Sequence, residues 1–464
     1  MTSLRSAEDD LARALQRIES KSPYAEAMAQ ATDGHSLRHD RSSTTPEPAP
    51  QVDGTVFRAW AGDGWREVAV TGYNRRALDD AAESLLRRLG GATITGNPPG
   101  DSPSGSLAKE TTEKRPIREF TLERRLELAR TFFGWATSVE GIGNAVISIG
   151  HSVDERLLVT TSGARRYQRV VRARASVAPL AIENGKVEYD FVGEGESGGA
   201  EVFDRFTQER ILETAREAKA LLHAGKAPTG RMAVVLDPST AGTFAHESFG
   251  HGTEADQLLR DRSYLKPILG QHVGPESLTL VDDGSFPNGW GTIYFDDEGH
   301  VSQRTVLVDH GRFVEVLHDR ESAAVMGRRP TGNTRRADFL SRPFVRMTNT
   351  FVEPGDWTHA EMIREAKEGI LLEHCTSGIE DPLGGNMQIK VKKAHRIEHG
   401  EVGELLPSMA LSGKVLEFLK AIRGVSRKED FEMSPGYCGK GHTDLLPAGT
   451  GGPYLLSEAV VGPA

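Results

Sequence analysis

The stretch DPSTAGTFAHESFGHGTEAD, residues 237–256, decides how the middle of the chain folds. Asp237 can cap a helix and Pro238 suits a first helical turn, so we expect a helix to begin here. The apolar run MAVVL at 232–236 precedes it and is typical of a buried strand. The sequence therefore predicts a strand, a tight turn and a helix in that order.

The chemistry of this helix lies in His246, Glu247 and His251. A catalytic zinc site needs such residues, because imidazoles supply neutral nitrogen ligands and a nearby glutamate takes a proton from water at the metal. The common short motif of zinc peptidases places its histidines four residues apart, on one helical face. Here the two histidines are five residues apart.

This spacing does not fit a regular α-helix. Five residues rotate the helix by roughly 500°, which leaves the two side chains about 140° apart. A π-bulge, or a helix that ends at His251, would bring them together. Gly250 and Gly252 make such a distortion easier. We therefore expect an irregular helix at residues 249–252; the alternative is two separate hydrogen-bonded histidines.

A zinc site needs a third protein ligand from elsewhere in the chain. The residues that could supply it are Glu254, Asp256, Cys375, Cys438 and the remaining histidines. Spacing alone does not choose among them. Cys438 lies in PGYCGKGH, where glycines let the backbone approach a site closely. Cys375 is expected to be a small buried apolar residue.

The composition restricts the class of protein. The 464 residues suggest two to three domains, and the net charge of −10 provides no basic field for nucleic acid or anionic membrane. Two cysteines make no disulfide framework and fit a reducing compartment. No apolar run approaches 18 residues, and the N-terminus lacks an apolar signal segment. We expect a cytoplasmic protein.

The pattern along the chain indicates an α+β protein of two domains. Residues 1–200 are expected to form a mixed α/β N-terminal domain. Residues 201–464 are expected to form a strand-rich C-terminal domain that carries the zinc-binding helix. Residues 95–115, rich in Pro, Gly and Ser, are expected to be an exposed loop, and residues 358–373 a helix.

Three polar segments of the C-terminal half have weaker signals. DDG at 282–284 and DDEG at 296–299 could bind a metal, but Asp-Gly after a strand is more often a turn, which we expect here. The basic segment RRPTGNTRR, residues 328–336, could hold a carboxylate or an acidic partner. Solvated arginines are the simpler expectation for it.

Taken together, these segments resemble the TldD/PmbA metallopeptidases, once called modulators of DNA gyrase. The resemblance covers most of residues 200–460 and is loose before residue 200. The segments that carry it, in the family's order, are LDPSTAGTFAHESFGHGTEADQ (236–257), VDDGSFPNGWGTIYFDDEG (281–299), MGRRPTGNTRR (326–336), RMTNTFVEPGD (346–356), GGNMQIKVKKAHRIEHGEV (384–402), CGKGH (438–442) and GTGGPYLL (449–456).

The resemblance implies a role for four side chains. His246, His251 and Cys438 match the zinc ligands, and Glu247 matches the catalytic acid and base. A fourth metal position would stay open for water. The family pairs a TldD-like catalytic subunit with a related TldE/PmbA-like subunit that lacks the motif, and this chain is similar to the first. Family members cleave unfolded or extended peptides, including leader segments of natural products, with little selectivity.

The expected function is therefore that of a zinc-dependent peptidase. Asn349, Gly384 and Gly385 are candidates for the lining of its substrate channel. One alternative is a biosynthetic tailoring enzyme that acts on a small peptide-like metabolite; another is a non-catalytic scaffold stabilised by zinc. The chain departs from the family pattern at His442-Thr443-Asp444 and at its VVGPA end, which puts substrate choice in doubt but removes no zinc ligand.

Overall fold

The computed structural model describes residues 4–49, 51–91, 94–440 and 443–464. It contains 26% helix and 42% strand, which confirms the predicted α+β class. The α-helices of the described residues are α1 (Glu8–Glu19), α2 (Arg75–Leu89), α3 (Leu122–Thr137), α4 (Gln208–Leu221), α5 (Pro238–Phe244), α6 (Ala255–Leu259), α7 (Arg320–Met326), α8 (His359–Ala366) and α9 (Val415–Lys420).

The first half of the chain builds one twisted sheet around two long strands. Its strands are β1 (Ala25–His39), β2 (Thr44–Glu47), β3 (Gln51–Trp60), β4 (Trp65–Thr71), β5 (Gly105–Glu110), β6 (Ile142–Thr160), β7 (Ala164–Glu183), β8 (Lys186–Tyr189) and β9 (Val192–Ser197). They lie in the order β4-β3-β1-β6-β7-β5, with β2 beside β1 and both β8 and β9 beside β7. Every pair is antiparallel except β5 with β7.

The two faces of this sheet differ in chemistry, because side chains alternate along a strand. Odd-numbered residues such as Phe57 and Leu157 pack under α1 and α2, and others such as Ile147 and Val171 pack under α3. Even-numbered residues of the same strands turn to the other face. Many of these are polar or charged and yet buried: Glu26, Gln30, Arg58, Arg156, Arg166, Gln168 and Arg172.

The second half of the chain covers this polar face. The Gln168 amide oxygen accepts from the Tyr294 N–H at 2.8 Å, and Arg166 Nε donates to the Gly299 carbonyl at 3.3 Å. Arg58 donates to Glu298 at 2.9 Å, with side-chain exposures of 7% and 2%. The contact between the two halves therefore contains hydrogen bonds and ion pairs, beside a small apolar cluster in which Met28 and Leu158 meet Phe295.

The second half contains two further sheets and a small hairpin. One sheet consists of β10 (Gly230–Leu236), β17 (Gly369–Asp381), β18 (Asn386–Glu398), β19 (Glu401–Leu406), β20 (Met409–Lys414), β21 (Gly424–Val425) and β24 (Leu455–Pro463). The other consists of β11 (Leu280–Asp283), β12 (Arg304–Asp309), β13 (Arg312–Phe313), β16 (Asn349–Val352), β22 (Glu432–Lys440) and β23 (Thr443–Gly452). The short pair is β14 (Thr334–Arg335) with β15 (Phe344–Val345).

Helix α5 lies between these two sheets. Strand β10 pairs with both β17 and β24, so the first of the two sheets closes on itself. Helix α5 packs against β17 on one side and against β22 and β23 on the other. Its Phe244 stacks on Phe418 with ring centroids 4.3 Å apart, and Phe249 meets Phe313 at 5.0 Å. The helix predicted to carry the chemistry is thus in the main core of the C-terminal half.

Two expectations about local structure change, and a third is confirmed. Residues 105–110, inside the segment expected to be an exposed loop, form the edge strand β5, because a polar edge strand shows no apolar alternation. Helix α8 ends at Ala366 instead of residue 373, and the apolar residues that follow begin β17. The acidic segment 296–299 forms the predicted turn, closed by hydrogen bonds from the N–H of Gly299 and of Asp296.

The expected boundary near residue 200 stays a prediction. Helix α4 follows that point in the sequence and packs against β7 and β8 of the first sheet. Among the described residues, no helix combines the length and the apolar composition that crossing a membrane requires.

We predict that Glu298→Gln lowers the free energy of unfolding by about 3 kcal/mol, because it removes one of the three carboxylates paired with the buried Arg58, the other two being Glu26 and Glu67. Glu298 also accepts from the Arg320 N–H at 3.0 Å and from the Thr334 hydroxyl at 3.1 Å. The matched control is Glu417→Gln, which breaks the exposed pair with Arg231 and should cost less than about 1 kcal/mol. Urea unfolding that ranks the two variants equally would contradict this account.

Candidate metal centre

The metal-binding helix begins as the sequence predicts. The Asp237 carboxylate accepts from the Thr240 N–H at 2.8 Å, and Pro238 occupies the first turn. The α-helix then widens into a π-helix over Ala245–Gly250 and tightens into a 3₁₀ turn over His251–Thr253. The expected irregularity at residues 249–252 is confirmed.

The π-turn is what brings the two histidines together. The His251 N–H donates to the His246 carbonyl, a hydrogen bond that spans five residues, as the π-helix requires. The two imidazole rings lie with their centroids 5.2 Å apart and their planes at 80°. An α-helix would have pointed them to different sides.

Close packing holds the widened turn in place. A Cβ atom on Gly250 would lie 2.0 Å from the Met347 sulfur, so only glycine fits there. One on Gly242 would lie 2.6 Å from the Gly451 nitrogen, because α5 and β23 approach backbone to backbone. The Tyr264 hydroxyl donates to the Ser248 carbonyl at 2.6 Å, inside the π-turn. These contacts stabilise a conformation that helix propensity alone does not favour.

Cys438 completes a cluster of three ligand side chains. One ligand atom from each of His246, His251 and Cys438 lies within 4.8 Å of the other two. In the described part of the chain, no other group of three His, Cys, Asp or Glu residues is arranged in this way. The Cys438 Sγ to His251 Nε2 distance is 3.5 Å. Tetrahedral zinc, with bonds of about 2.05 Å to nitrogen and 2.3 Å to sulfur, would place these atoms about 3.6 Å apart.

The buried polar atoms of the cluster also fit a metal ion. His246 Nδ1 is buried and has no hydrogen-bond partner in the structure. Burial by itself raises the pKa of the Cys438 thiol, but His251 and His246 outweigh it and hold that pKa well below the usual range. A cysteine that is readily deprotonated beside two imidazoles is a donor set that suits zinc.

Glu254 supports the cluster from behind. Its Oε2 lies 3.6 Å from His251 Nδ1, the ring nitrogen that does not face Cys438. Burial raises the pKa of Glu254, but Lys440 and His251 outweigh burial and lower it to about 2. A carboxylate at this point favours a proton on Nδ1 and leaves Nε2 free for a metal. Glu254 thus sits where it orients a ligand, and three ligands leave a position open.

Two cations fasten the hairpin that carries the cysteine. Arg346 donates to the Cys438 carbonyl. Lys440 Nζ lies 3.0 Å from Glu254 and 2.7 Å from Asp256. These contacts connect the β22 end of the site to the segment just after His251. Sequence reasoning did not single out either cation, because their partners are about 90 and 185 residues away.

Glu247 lies half-buried beside the cluster, over strand β17. A Cβ atom on Gly378 would come within 2.4 Å of Glu247 Cγ, so a glycine makes room for this side chain. Two residues further along β17, both carboxylate oxygens of Glu380 are buried without a partner. Burial raises the pKa of Glu380 to about 9; His251 opposes the shift, and Glu247 and Glu254 add to it. Sequence reasoning missed Glu380, because a lone glutamate near a strand end has no distinctive spacing.

The remaining candidates, Asn349, Gly384 and Gly385, are not among the three grouped residues. Asn349 is fully buried; its amide oxygen accepts from the Gly291 N–H and its nitrogen donates to the Asp283 carbonyl, so it fastens a loop. Gly384 and Gly385 form the turn between β17 and β18. Their substrate roles stay predictions.

The second cysteine lies outside the cluster. Cys375 packs against the main core, and burial raises the pKa of its thiol to about 12. The departure from the family pattern at residues 442–444 falls on His442, which lies outside the described residues, and on Thr443 and Asp444, whose side chains are likewise not described.

Comparison with known proteins shows the family of this chain. Residues 229–462 match the PmbA/TldA metallopeptidase C-terminal domain, and residues 115–225 match the central domain of the same family. A metalloprotease of Methanocaldococcus jannaschii is 36% identical over 322 residues, 69% of this chain and 70% of the relative. A metalloprotease of Methanothermobacter thermautotrophicus is 30% identical over 461 residues, 98% of each chain. The chain therefore belongs to the PmbA/TldD metallopeptidase family.

Solved structures show that the fold is shared along the whole chain. A putative modulator of DNA gyrase from Thermotoga maritima superposes with a TM-score of 0.80 at 18% identity, covering 99% of this chain and 100% of that one. TldE from Thermococcus kodakarensis superposes with a TM-score of 0.74 at 16% identity, covering 98% and 100%. At these identities the likeness concerns the fold.

We predict that Glu254→Gln weakens zinc binding by about 10–100-fold, because His251 loses the carboxylate that orients its ring. Asp256→Asn is the matched control, since Asp256 also contacts Lys440 but is not paired with His251. Competition with a zinc chelator measures both affinities. Equal losses in the two variants would show that general charge, not orientation of His251, matters here.

Proposed function

We propose that this chain is a zinc-dependent peptidase in which His246, His251 and Cys438 hold the metal and Glu247 is the general base. The observation that carries the proposal is the set of three ligand atoms within 4.8 Å, with a carboxylate on the residue next to the first histidine. Three protein ligands leave the fourth position for water or substrate, as in catalytic zinc sites.

The protein residues supply the proton transfers of this reaction. Zinc, when bound, lowers the pKa of water and polarises a carbonyl group. The Glu247 carboxylate takes a proton from the attacking water and passes it to the leaving amine nitrogen. Because Gly378 has no side chain, there is space for the Glu247 side chain beside the cluster of possible ligands.

Strand β17 offers a place for an extended peptide. Its first residues pair with β10, but residues 376–381 pair only with β18 among the described strands. The free edge therefore runs past Gly378, directly beneath Glu247. A peptide that adds as a strand binds through its backbone, which supports unfolded or extended substrates with little sequence selectivity. Leader segments of precursor peptides belong to this substrate class.

We also propose that the chain acts with a TldE/PmbA-like paralogue that lacks the zinc motif. The shared fold with TldE from Thermococcus kodakarensis supports this pairing, since related subunits commonly assemble through equivalent surfaces. The two cysteines, both free, fit a reducing compartment, and we place the complex in the cytoplasm.

Glu247→Gln is expected to keep the metal and to lower peptide cleavage by about 10²–10⁴-fold, the usual contribution of a general base. Glutamine keeps the size of the side chain but takes up no proton. Mass spectrometry of an unfolded protein substrate measures the cleavage, and elemental analysis measures the zinc.

Cys438→Ala serves as the comparison variant, because it is expected to lose zinc and activity together. Full activity of Glu247→Gln with zinc bound would refute the assigned base. Full zinc occupancy of Cys438→Ala would show that another residue is the third ligand.

Affinity purification of the chain from its native host is expected to recover a second protein of similar fold. That protein should lack residues equivalent to His246, His251 and Cys438. Mixing the purified pair should increase peptide cleavage, because a chamber between subunits would retain extended substrates. Recovery of this chain alone, with full activity, would contradict the proposed pairing.

A further inference from the structure

A cavity of about 160 Å³ lies between the two halves of the chain. Its floor is the polar face of the first sheet, and its roof comes from the segment 290–297, the strand end at Arg335 and the β22–β23 hairpin. One water needs roughly 10–15 Å³, so this space holds a group of several heavy atoms. The cavity lies apart from the free edge of β17, and none of the three ligand residues lines it.

Arginines dominate the charge of this cavity. The charged residues among its described lining are Arg156, Arg172, Arg174, Arg335, Asp154 and Asp297. Arg156 forms ion pairs with both aspartates, with Asp154 at 3.1 Å and with Asp297. The two carboxylates are thus already engaged, and the lining holds more cations than anions.

Two of these arginines are buried without a carboxylate. Arg172 is 3% exposed and donates to the carbonyls of Trp290 and Thr292, at 2.7 and 2.9 Å. Arg335 is 5% exposed and donates to the Met347 carbonyl at 2.6 Å. No acidic side chain of the described residues lies within 4.0 Å of either guanidinium. Backbone carbonyls satisfy part of each guanidinium, and Asp154 and Asp297 favour the charges of Arg172 and Arg335 only from beyond contact distance.

The surroundings make this charge costly. Burial lowers the pKa of Arg172 to about 10 and that of Arg335 to about 9, and the nearby arginines add to the second shift. A buried cation without a partner costs several kcal/mol, which a bound anion would offset. The expectation of solvated arginines at 328–336 holds for Arg328 and Arg329, which are exposed, but it is wrong for Arg335 and Arg336.

We propose that this cavity is a binding site for an oxyanion, a carboxylate or phosphate group, held by Arg172 and Arg335. Arginine matches both groups, because its planar fork donates two parallel hydrogen bonds. Trp290, Ile293 and Phe295 give the cavity an apolar wall, so the anionic group is attached to an apolar body. A small anionic metabolite and the carboxyl end of a peptide share this chemistry.

The test is calorimetric titration of the full-length chain at constant ionic strength with inorganic phosphate, and with an acetylated peptide ending in phenylalanine. The peptide is used as free acid and as amide. We expect Arg335→Gln to weaken binding by about tenfold or more, since it removes a charged hydrogen bond. Arg329→Gln, in the same basic segment but exposed, should bind as the unaltered chain does.

Ala337→Phe tests the same site without removing a charge, because Ala337 lines the cavity and a larger side chain fills it. Binding should be lost in this variant. Binding of the free acid but not the amide identifies a peptide end, and binding of phosphate alone identifies a small anion; either supports the site. No binding of any ligand, or unchanged binding in Arg335→Gln and Ala337→Phe, would overturn the proposal.

Discussion

The five-residue spacing of His246 and His251 is the constraint on which the centre of this protein depends. Two imidazoles so spaced point apart on a regular α-helix, and in this chain a π-turn, a rare conformation, brings them together. Tertiary contacts help to hold this turn. The chain provides them where Met347 fills the space beside Gly250 and where Tyr264 binds the Ser248 carbonyl. Placing α5 between two sheets therefore does more than bury apolar surface, because both sheets contribute contacts that fix the ligand geometry.

A second feature is the charged face of the first sheet. An antiparallel sheet commonly has one apolar face that is buried and one polar face that is solvated. Here the polar face is covered by the other half of the chain, so each buried charge needs a partner. Arg58 forms an ion pair with Glu298, and Arg156 forms one with Asp297. Arg172 and Arg335 instead donate hydrogen bonds to backbone carbonyls. Arginines that contact a carboxylate and arginines that do not are thus neighbours on this face. Arg172 and Arg335, which do not, both line the cavity.

Local chemistry explains what the sequence could predict. The cap at Asp237 and the distortion before His251 follow from residue types and spacing, so both were predictable. The segment after Ala366 was assigned to helix because its apolar residues fit either period, and only pairing with β10 and β18 makes it a strand. Glu380 and Arg335 were beyond sequence reasoning, since burial of a charge depends on what folds over it.

The position of Cys438 shows why the site and the fold form together. Its partner His251 lies 187 residues earlier. The hairpin that carries Cys438 is fixed by Arg346, from another segment, and by its own Lys440, which contacts Glu254, Asp256 and the Val345 carbonyl. Closing so long a loop costs chain entropy, which grows only slowly with length but must be offset by contacts. Until the hairpin docks, the two histidines lack the thiol proposed as the third ligand. Metal affinity therefore reports on the docking of β22 as much as on the ligands themselves, because binding to the folded site alone stabilises that state.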